Sequence, residues 1–88
     1  MTTLEKTLEK VLRGTSDANI AFSDLVRLLN RLGFTRRIRG SHYIYTKPGI
    51  EEILNLQPKG SKAKPYQVKQ VRHVILRHKL AESLDAQI

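Results

Sequence analysis

Cysteine is absent from the 88-residue sequence, and no stretch of apolar residues is long. Without cysteine the chain forms neither disulfide bonds nor thiolate metal sites, which agrees with a reducing compartment. The apolar stretches fall far short of the roughly 20 residues that a membrane-spanning helix needs. The first ten residues alternate charged side chains with leucine, unlike a signal peptide. We therefore expect one small domain that does not enter a membrane.

Acidic side chains are scarce as well, and residues 53–81 contain none. The whole chain has 16 lysines and arginines against 8 aspartates and glutamates, which gives a net charge of +8. A field of one sign on so small a domain indicates a polyanionic partner. Nucleic acid is the first candidate, because neutralised phosphates release their counterions. An acidic protein partner is the alternative explanation.

Apolar residues recur at helical spacing in three segments of the sequence. The first predicts a helix over Thr3–Arg13, with Thr2 and Glu5 spaced as a capping box at its start. The second predicts an amphipathic helix from Phe22 to Leu32. The third begins at Pro65, a residue that suits the first turn of a helix, and is expected to extend to about Lys79.

Between the second and third helices the pattern changes to that of strands. Phe34–Arg39 alternates apolar and basic residues, His42–Thr46 is rich in Tyr, Ile and Thr, and Ile53–Gln57 can form a third strand. Residues 58–64 are predicted to be a flexible basic loop. Two helices on one face of this antiparallel sheet make an α+β two-layer domain. Its helix–three strands–helix order is that of the double-stranded-RNA-binding fold, with an extra N-terminal helix.

The tripeptide Gly40-Ser41-His42 opens the predicted second strand and follows a helix and a strand. Leu32-Gly33-Phe34 precedes it at the end of that helix. A second block lies downstream and comprises Leu56-Gln57-Pro58, Lys64-Pro65-Tyr66-Gln67-Val68 and Gln70-Val71. In this arrangement the sequence resembles the HicA toxin family over roughly Asn19 to Lys79.

The resemblance implies the toxin of a type II toxin–antitoxin system, bacterial and cytoplasmic, that cleaves mRNA and so arrests translation. It implies that His42 is the catalytic residue and that a HicB-like antitoxin covers it. DNA would be contacted only indirectly, through the antitoxin. The RNA-cleaving domain would comprise residues 19–80, after an N-terminal helix and linker at 1–18 and before a tail at 81–88. The extra helix either packs on the domain or contacts the antitoxin.

Histidine suits the proton transfers of RNA cleavage because its unperturbed pKa is about 6.5. One histidine does not easily both remove the 2′-hydroxyl proton and protonate the leaving 5′-oxygen. We therefore expect His42 to take one of these roles, and a water, a second group or the RNA to take the other. The chain has three histidines and no acidic residue near His42 in sequence, so we expect neither a metal nor another cofactor.

Eight further residues are expected to contact the substrate. Gly40 permits a tight backbone and close approach of RNA, and Ser41 can donate to phosphate or to His42, although an ordinary turn also explains both. Basic side chains suit phosphate, and the expected contacts are Arg36, Arg37, Arg39, Lys47, Lys62 and Lys64. Alternation along the first strand predicts Arg37 and Arg39 on one face and Arg36 on the other.

The second strand leaves one question open. One of its faces must pack under the helices, and the candidates are the face of Tyr43 and Tyr45 and the face of His42 and Ile44. The main functional alternative is a non-catalytic double-stranded-RNA-binding module, which shares the fold and charge but needs no histidine. A DNA-binding helix-turn-helix is weaker, because strand-like residues follow the helix and no recognition helix lies beside it.

Overall fold

The computed structural model describes residues 2–82, which include the helices α1 (Thr3–Arg13), α2 (Phe22–Arg31) and α3 (Pro65–Arg77), five strands and a short 3₁₀ helix at Asp17–Asn19. The strands are β1 (Thr35–Arg39), β2 (His42–Lys47), β3 (Ile50–Leu56), β4 (Pro58–Lys59) and β5 (Lys62–Ala63).

The first three strands form an antiparallel sheet in the order β1-β2-β3, and β4 and β5 form a separate hairpin. The predicted α+β fold of the double-stranded-RNA-binding type, with an extra N-terminal helix, is therefore confirmed. No helix within residues 2–82 is long and apolar enough to cross a membrane. Most of the predicted tail, residues 83–88, lies outside the described residues.

Helix α1 begins and ends where the sequence predicts. The Thr2 hydroxyl oxygen accepts a hydrogen bond from the Glu5 backbone N–H at 3.1 Å, which caps the first turn. Gly14 ends the helix in the left-handed conformation, with φ at +75°. Leu8 and Val11 are buried in the same core as the residues of α2 and α3. The extra N-terminal helix thus packs on the domain.

Alternation along β2 places Tyr43 and Tyr45 on the side of the sheet that faces the helices. Tyr45 is fully buried, and the ring of Tyr43 meets Phe22 of α2 edge to face, with 5.0 Å between the ring centroids. His42 and Ile44 therefore lie on the other face, which no helix covers in residues 2–82. The tyrosine face is the buried one, and the histidine lies on the outer face.

Strand β3 begins at Ile50, three residues before the predicted start at Ile53. Lys47 pairs with Ile50 across a tight turn, and the register shifts between Tyr45 and Lys47. Such a bulge inserts unpaired residues into one strand of a pair, which a simple alternating pattern does not predict. The two glutamates near the start of β3 also have low strand propensity and hide the strand in the sequence.

Residues 58–63 form the β4–β5 hairpin and Lys64 is the N-cap of α3, so the prediction of a flexible loop over residues 58–64 was wrong. Pro58 pairs with Ala63 across a turn at Gly60 and Ser61. The hairpin is fixed to the segment before α2, because the Ala63 N–H donates to the Ile20 carbonyl at 2.9 Å. Ala63 is buried there. These partners lie some forty residues away in sequence, beyond the reach of a local pattern.

Arg72 of α3 joins three separate segments of the chain. Its Nη1 donates to the Asp17 carboxylate at 2.9 Å and to the Val11 carbonyl at 3.1 Å, and its Nη2 donates to the second Asp17 oxygen at 3.3 Å. The side chains of Arg72 and Asp17 are mostly buried, so removing one partner would leave a charge without compensation. This pair holds the 3₁₀ helix and the end of α1 against α3.

The C-terminal end of α3 is tied to β3 through Glu52. The Glu52 carboxylate accepts hydrogen bonds from His78 Nε2 at 2.8 Å and from Arg77 Nη1 at 3.0 Å. The hydrogen bond from His78 holds the pKa of Glu52 below its usual value, with a smaller contribution from the charge of Arg77, while partial burial opposes the shift.

This shift makes stability depend on pH with a definite sign. Because the pKa of Glu52 is lower in the folded than in the unfolded chain, the unfolded chain takes up the proton first as the pH falls. The stabilising effect is present above the usual carboxyl pKa of 4.5 and is lost as the pH falls through the folded value. We expect the urea midpoint of the wild type to fall more steeply between about pH 5 and 3 than that of Glu52→Gln.

Glu51→Gln is the matched control, since Glu51 is exposed and pairs only with Arg77 among the described residues. Its midpoint should follow the wild-type slope. If the urea midpoints of the wild type and Glu52→Gln fall equally steeply with pH, the lowered pKa of Glu52 is not the source of this pH dependence.

Candidate active site

His42 is the first residue of β2, and its exposed side chain lies on the outer face of the sheet. A two-residue turn at Gly40 and Ser41 connects β1 to β2 and pairs Arg39 with His42. Gly40 has φ at +60°, and a Cβ atom there would meet no neighbour. The backbone angle, rather than lack of space, therefore favours glycine at this position.

Asn55 of β3 holds the imidazole ring of His42. Its side-chain oxygen lies 3.1 Å from His42 Nδ1. An amide oxygen accepts hydrogen bonds, so this contact requires the proton on Nδ1, and a neutral ring in that tautomer presents Nε2 as an acceptor. Within residues 2–82 Nε2 has no hydrogen-bond partner. A histidine nitrogen in this state can take a proton from a bound hydroxyl group.

Sequence reasoning did not select Asn55. The residue becomes a neighbour of His42 only through the pairing of β2 with β3, in which Ile44 lies opposite Asn55. The two outer-face side chains then meet along the diagonal of the ladder, a distance that a histidine can span. In the sequence Asn55 is a polar residue between Leu54 and Leu56. Because both leucines are buried, alternation places Asn55 on the outer face.

Arg37 and Arg39 share the outer face with His42, as alternation predicts. Arg39 lies directly opposite His42 in the β1–β2 ladder, where Cβ atoms are typically about 5 Å apart. Arg36 lies on the opposite side, next to the buried hydroxyl of Tyr45. Burial raises the pKa of that hydroxyl, and the nearby guanidinium opposes the shift. The structure therefore brings two of the three predicted arginines to His42.

Ser41 and Lys64 are joined by Gln57, the residue that follows β3. The Gln57 side-chain nitrogen donates to the Ser41 hydroxyl oxygen at 2.9 Å, and Lys64 Nζ donates to the Gln57 side-chain oxygen at 3.2 Å. The turn that precedes His42 is thereby linked to the N-cap residue of α3. Gln57 and Asn55 are the two residues of this site that the sequence analysis did not assign.

Lys47 and Lys62 are placed elsewhere. Lys47 extends over Gly33 at the end of α2, with its Nζ 2.6 Å from the position that a Cβ on Gly33 would take. Lys62 lies in β5, and its Nζ donates to the Asn19 side-chain oxygen at 3.3 Å. No contact in the described residues joins either lysine to His42.

Gln67 is the buried polar residue beneath these contacts, with only 1% of its surface exposed. Its side-chain oxygen accepts from the Gln57 N–H at 3.2 Å, and its nitrogen donates to the Asn55 carbonyl at 3.5 Å and to the Tyr66 hydroxyl at 3.3 Å. The backbone that carries Asn55 and Gln57 is thus fastened to α3. In the sequence this role is indicated by a glutamine on the apolar face of α3, one turn before Val71, because a buried polar side chain needs hydrogen-bond partners.

The outer face offers imidazole, guanidinium and amide groups. Among residues 2–82, histidine, aspartate and glutamate side chains do not gather in groups of three or more that could hold a metal ion. The chemistry available from this set is proton transfer by His42 and neutralisation of negative charge by Arg37 and Arg39.

A family model described as the HicA toxin of bacterial toxin–antitoxin systems matches residues 22–78. The match covers more than half of the chain and runs from the start of α2 to the residue after α3. It contains the Gly40–His42 turn and both residues of the site that sequence reasoning missed. No curated protein and no solved structure matches the chain. The resemblance inferred from the sequence motifs is confirmed by this match.

Replacing Gln67 by leucine tests whether this residue holds the backbone of Asn55 and Gln57 against α3. Gln67→Leu keeps a similar volume but leaves the Gln57 N–H and the Asn55 carbonyl without their partner. We expect the free energy of unfolding in urea to fall by about 1–3 kcal/mol, the cost of unpaired buried polar groups. Gln70→Leu, on the exposed side of the same helix, should change it by less than about 0.5 kcal/mol. Equal losses in the two variants would contradict this role.

Proposed function

The chain belongs to the HicA toxin family and is the toxin of a toxin–antitoxin system, and we propose that it is a metal-independent endoribonuclease. Its substrate in this proposal is mRNA, and cleavage arrests translation in the bacterial cytoplasm. The observation that carries the proposal is the exposed His42, which lies directly opposite Arg39 and whose Nε2 has no hydrogen-bond partner within residues 2–82. The RNA-cleaving domain is assigned to residues 19–80, preceded by the helix and linker of residues 1–18 and followed by the tail 81–88.

In the proposed reaction the RNA supplies its own nucleophile. The 2′-hydroxyl oxygen attacks the adjacent phosphorus, and the bond from phosphorus to the 5′-oxygen breaks, which yields a cyclic phosphate and a free 5′-hydroxyl. Nε2 of His42 removes the proton from the 2′-hydroxyl. The leaving 5′-oxygen takes a proton from water or from a second group. The imidazole gives its proton back to solvent and is ready for another cycle.

The basic side chains near His42 are suited to the phosphate. Arg37 and Arg39 on the outer face can neutralise the charge that develops on the non-bridging oxygens. Lys64, held by Gln57, and the turn at Gly40 and Ser41 complete the surface that would contact the RNA backbone. Arg36, Lys47 and Lys62 remain predicted substrate contacts, but the proposal does not depend on them.

Substituting the proposed catalytic residue tests the function directly. We expect induced wild-type protein to stop growth and cut RNA, and a folded His42→Ala variant to lose at least about 100-fold in cleavage rate, the usual contribution of a proton-transferring histidine. His73→Ala is the matched control, because His73 is exposed on α3, away from the sheet's outer face. It should keep full activity, and circular dichroism should show both variants folded.

A folded His42→Ala variant that arrests growth and cuts RNA as well as the wild type would exclude this catalyst. If the wild type and His42→Ala both arrest growth and neither cuts RNA, the result would instead favour the non-catalytic RNA-binding module.

The partner in this family is an antitoxin of the HicB kind. We propose that the antitoxin covers His42 by binding the outer face of the sheet with acidic and apolar groups. That face carries the exposed Arg37 and Arg39 of β1, and Ile53 of β3, of which 65% is exposed, offers an apolar side chain beyond β2. Opposite charges across such an interface speed association and weaken it in salt.

The arginines also provide the test of this interface. We expect toxin and cognate antitoxin to co-purify at low salt and the double variant Arg37→Ala/Arg39→Ala to bind roughly tenfold more weakly, with a smaller dependence on salt. Arg36→Ala, on the opposite side of the same strand, should bind like the wild type. Unchanged affinity of the double variant in isothermal titration calorimetry would show that the antitoxin binds another surface.

A further inference from the structure

We infer that Asn55 is a positioning residue that fixes His42 in the tautomer with its proton on Nδ1, so that Nε2 faces the substrate as an acceptor. The inference rests on the proposed function, because it concerns how the same site is prepared for proton transfer. Asn55 does not touch the reacting atoms in this account. It acts through the imidazole.

The contact that carries the inference is between two exposed side chains on the outer face. Asn55 Oδ1 lies 3.1 Å from His42 Nδ1, a normal hydrogen-bond distance. In the ladder of β2 and β3, Ile44 pairs with Asn55 and Tyr43 pairs with Leu56, so Asn55 is the diagonal neighbour of His42. The strand register therefore brings the two side chains within reach of each other.

A neutral imidazole has two tautomers, and only one of them can accept a proton at Nε2. The tautomer is selected by the hydrogen bond that the other ring nitrogen makes. An acceptor at Nδ1 selects the form with the proton on that nitrogen, and it also limits rotation of the ring about χ2. Without this acceptor, part of the population would have Nε2 protonated and unable to take up the 2′-hydroxyl proton.

The backbone of Asn55 is anchored from the buried side of the sheet. Its carbonyl accepts from Gln67, and Gln67 also accepts from the N–H of Gln57 two residues later. Leu56, which lies between them, is fully buried. Three successive residues are thus held against α3, so the backbone from which the Asn55 side chain extends is fixed. Precise positioning of a reactive group requires such support behind it.

The tautomer can be measured directly by nuclear magnetic resonance on the ¹⁵N-labelled full chain. Long-range ¹H–¹⁵N spectra at about pH 8, where an ordinary histidine is neutral, distinguish protonated from unprotonated ring nitrogens. Signals of His42 are assigned by their loss in His42→Ala. We expect a protonated Nδ1 and an unprotonated Nε2 in the wild type. A wild-type spectrum with the proton on Nε2 would overturn the inference, because the amide would then present its nitrogen to the ring.

Variants of Asn55 then connect the tautomer to activity. In Asn55→Ala we expect mixed tautomers and a kcat for RNA cleavage about 10–100-fold lower, with KM little changed, as for groups that orient a reactive histidine. Asn55→Asp should restore the wild-type tautomer and most of the activity, because a carboxylate accepts the same hydrogen bond. Asn30→Ala, an exposed asparagine on α2, should change neither measurement.

The two failures can be told apart. If the wild type cuts no RNA, the proposed function fails, whereas the spectrum of the wild type still decides the tautomer. If the wild type cuts RNA and Asn55→Ala retains both its kcat and the wild-type tautomer, the proposed function stands and the positioning role of Asn55 is overturned.

Discussion

Burial of Tyr45 under the helices determines which side of the sheet carries the exposed histidine. Side chains alternate along β2, so packing Tyr43 and Tyr45 on the core side sends His42 to the outer side. A slip of one residue in register would exchange the two faces, expose the tyrosines and bury the imidazole. The apolar packing of one face therefore determines which side chains the other face presents, including His42, Arg37 and Arg39.

The site combines an open face with support from the core. The side chains of His42, Arg37 and Arg39 are exposed, as the proposed RNA substrate and protein partner require. The residues that orient them are held by Gln67, which is buried and uses both ends of its amide to hold the end of β3. The backbone beneath an open sheet face is thus fixed by hydrogen bonds on the side away from solvent.

The sequence was sufficient where neighbouring residues determine the conformation. The cap at Thr2 and the glycine stop at Gly14 determined the bounds of α1, and alternation correctly divided the arginines of β1 between two faces. The fold class followed from the order of helical and strand patterns. The motif around His42 was sufficient to identify the family that the match confirms.

The features that could not be predicted depend on pairing between distant segments. Asn55 meets His42 only through the register of β2 and β3, and that register includes a bulge. The hairpin of β4 and β5 takes backbone partners from the segment at Ile20, far upstream. Neither relation leaves a periodic pattern in the sequence, because each depends on where two strands or loops come together in space. Gln67 was visible only as a polar residue on an apolar helix face.

The ion pair of Arg72 with Asp17 has a consequence for how this chain is made. The two residues are 55 positions apart, and Arg72 lies in α3. Helix α1 also packs against α2, but its contacts with α3 and the ion pair of Arg72 with Asp17 form only after α3 has emerged from the ribosome. Gln67 belongs to the same late helix. A polypeptide released before α3 is translated therefore lacks the hydrogen bonds by which Gln67 holds the end of β3.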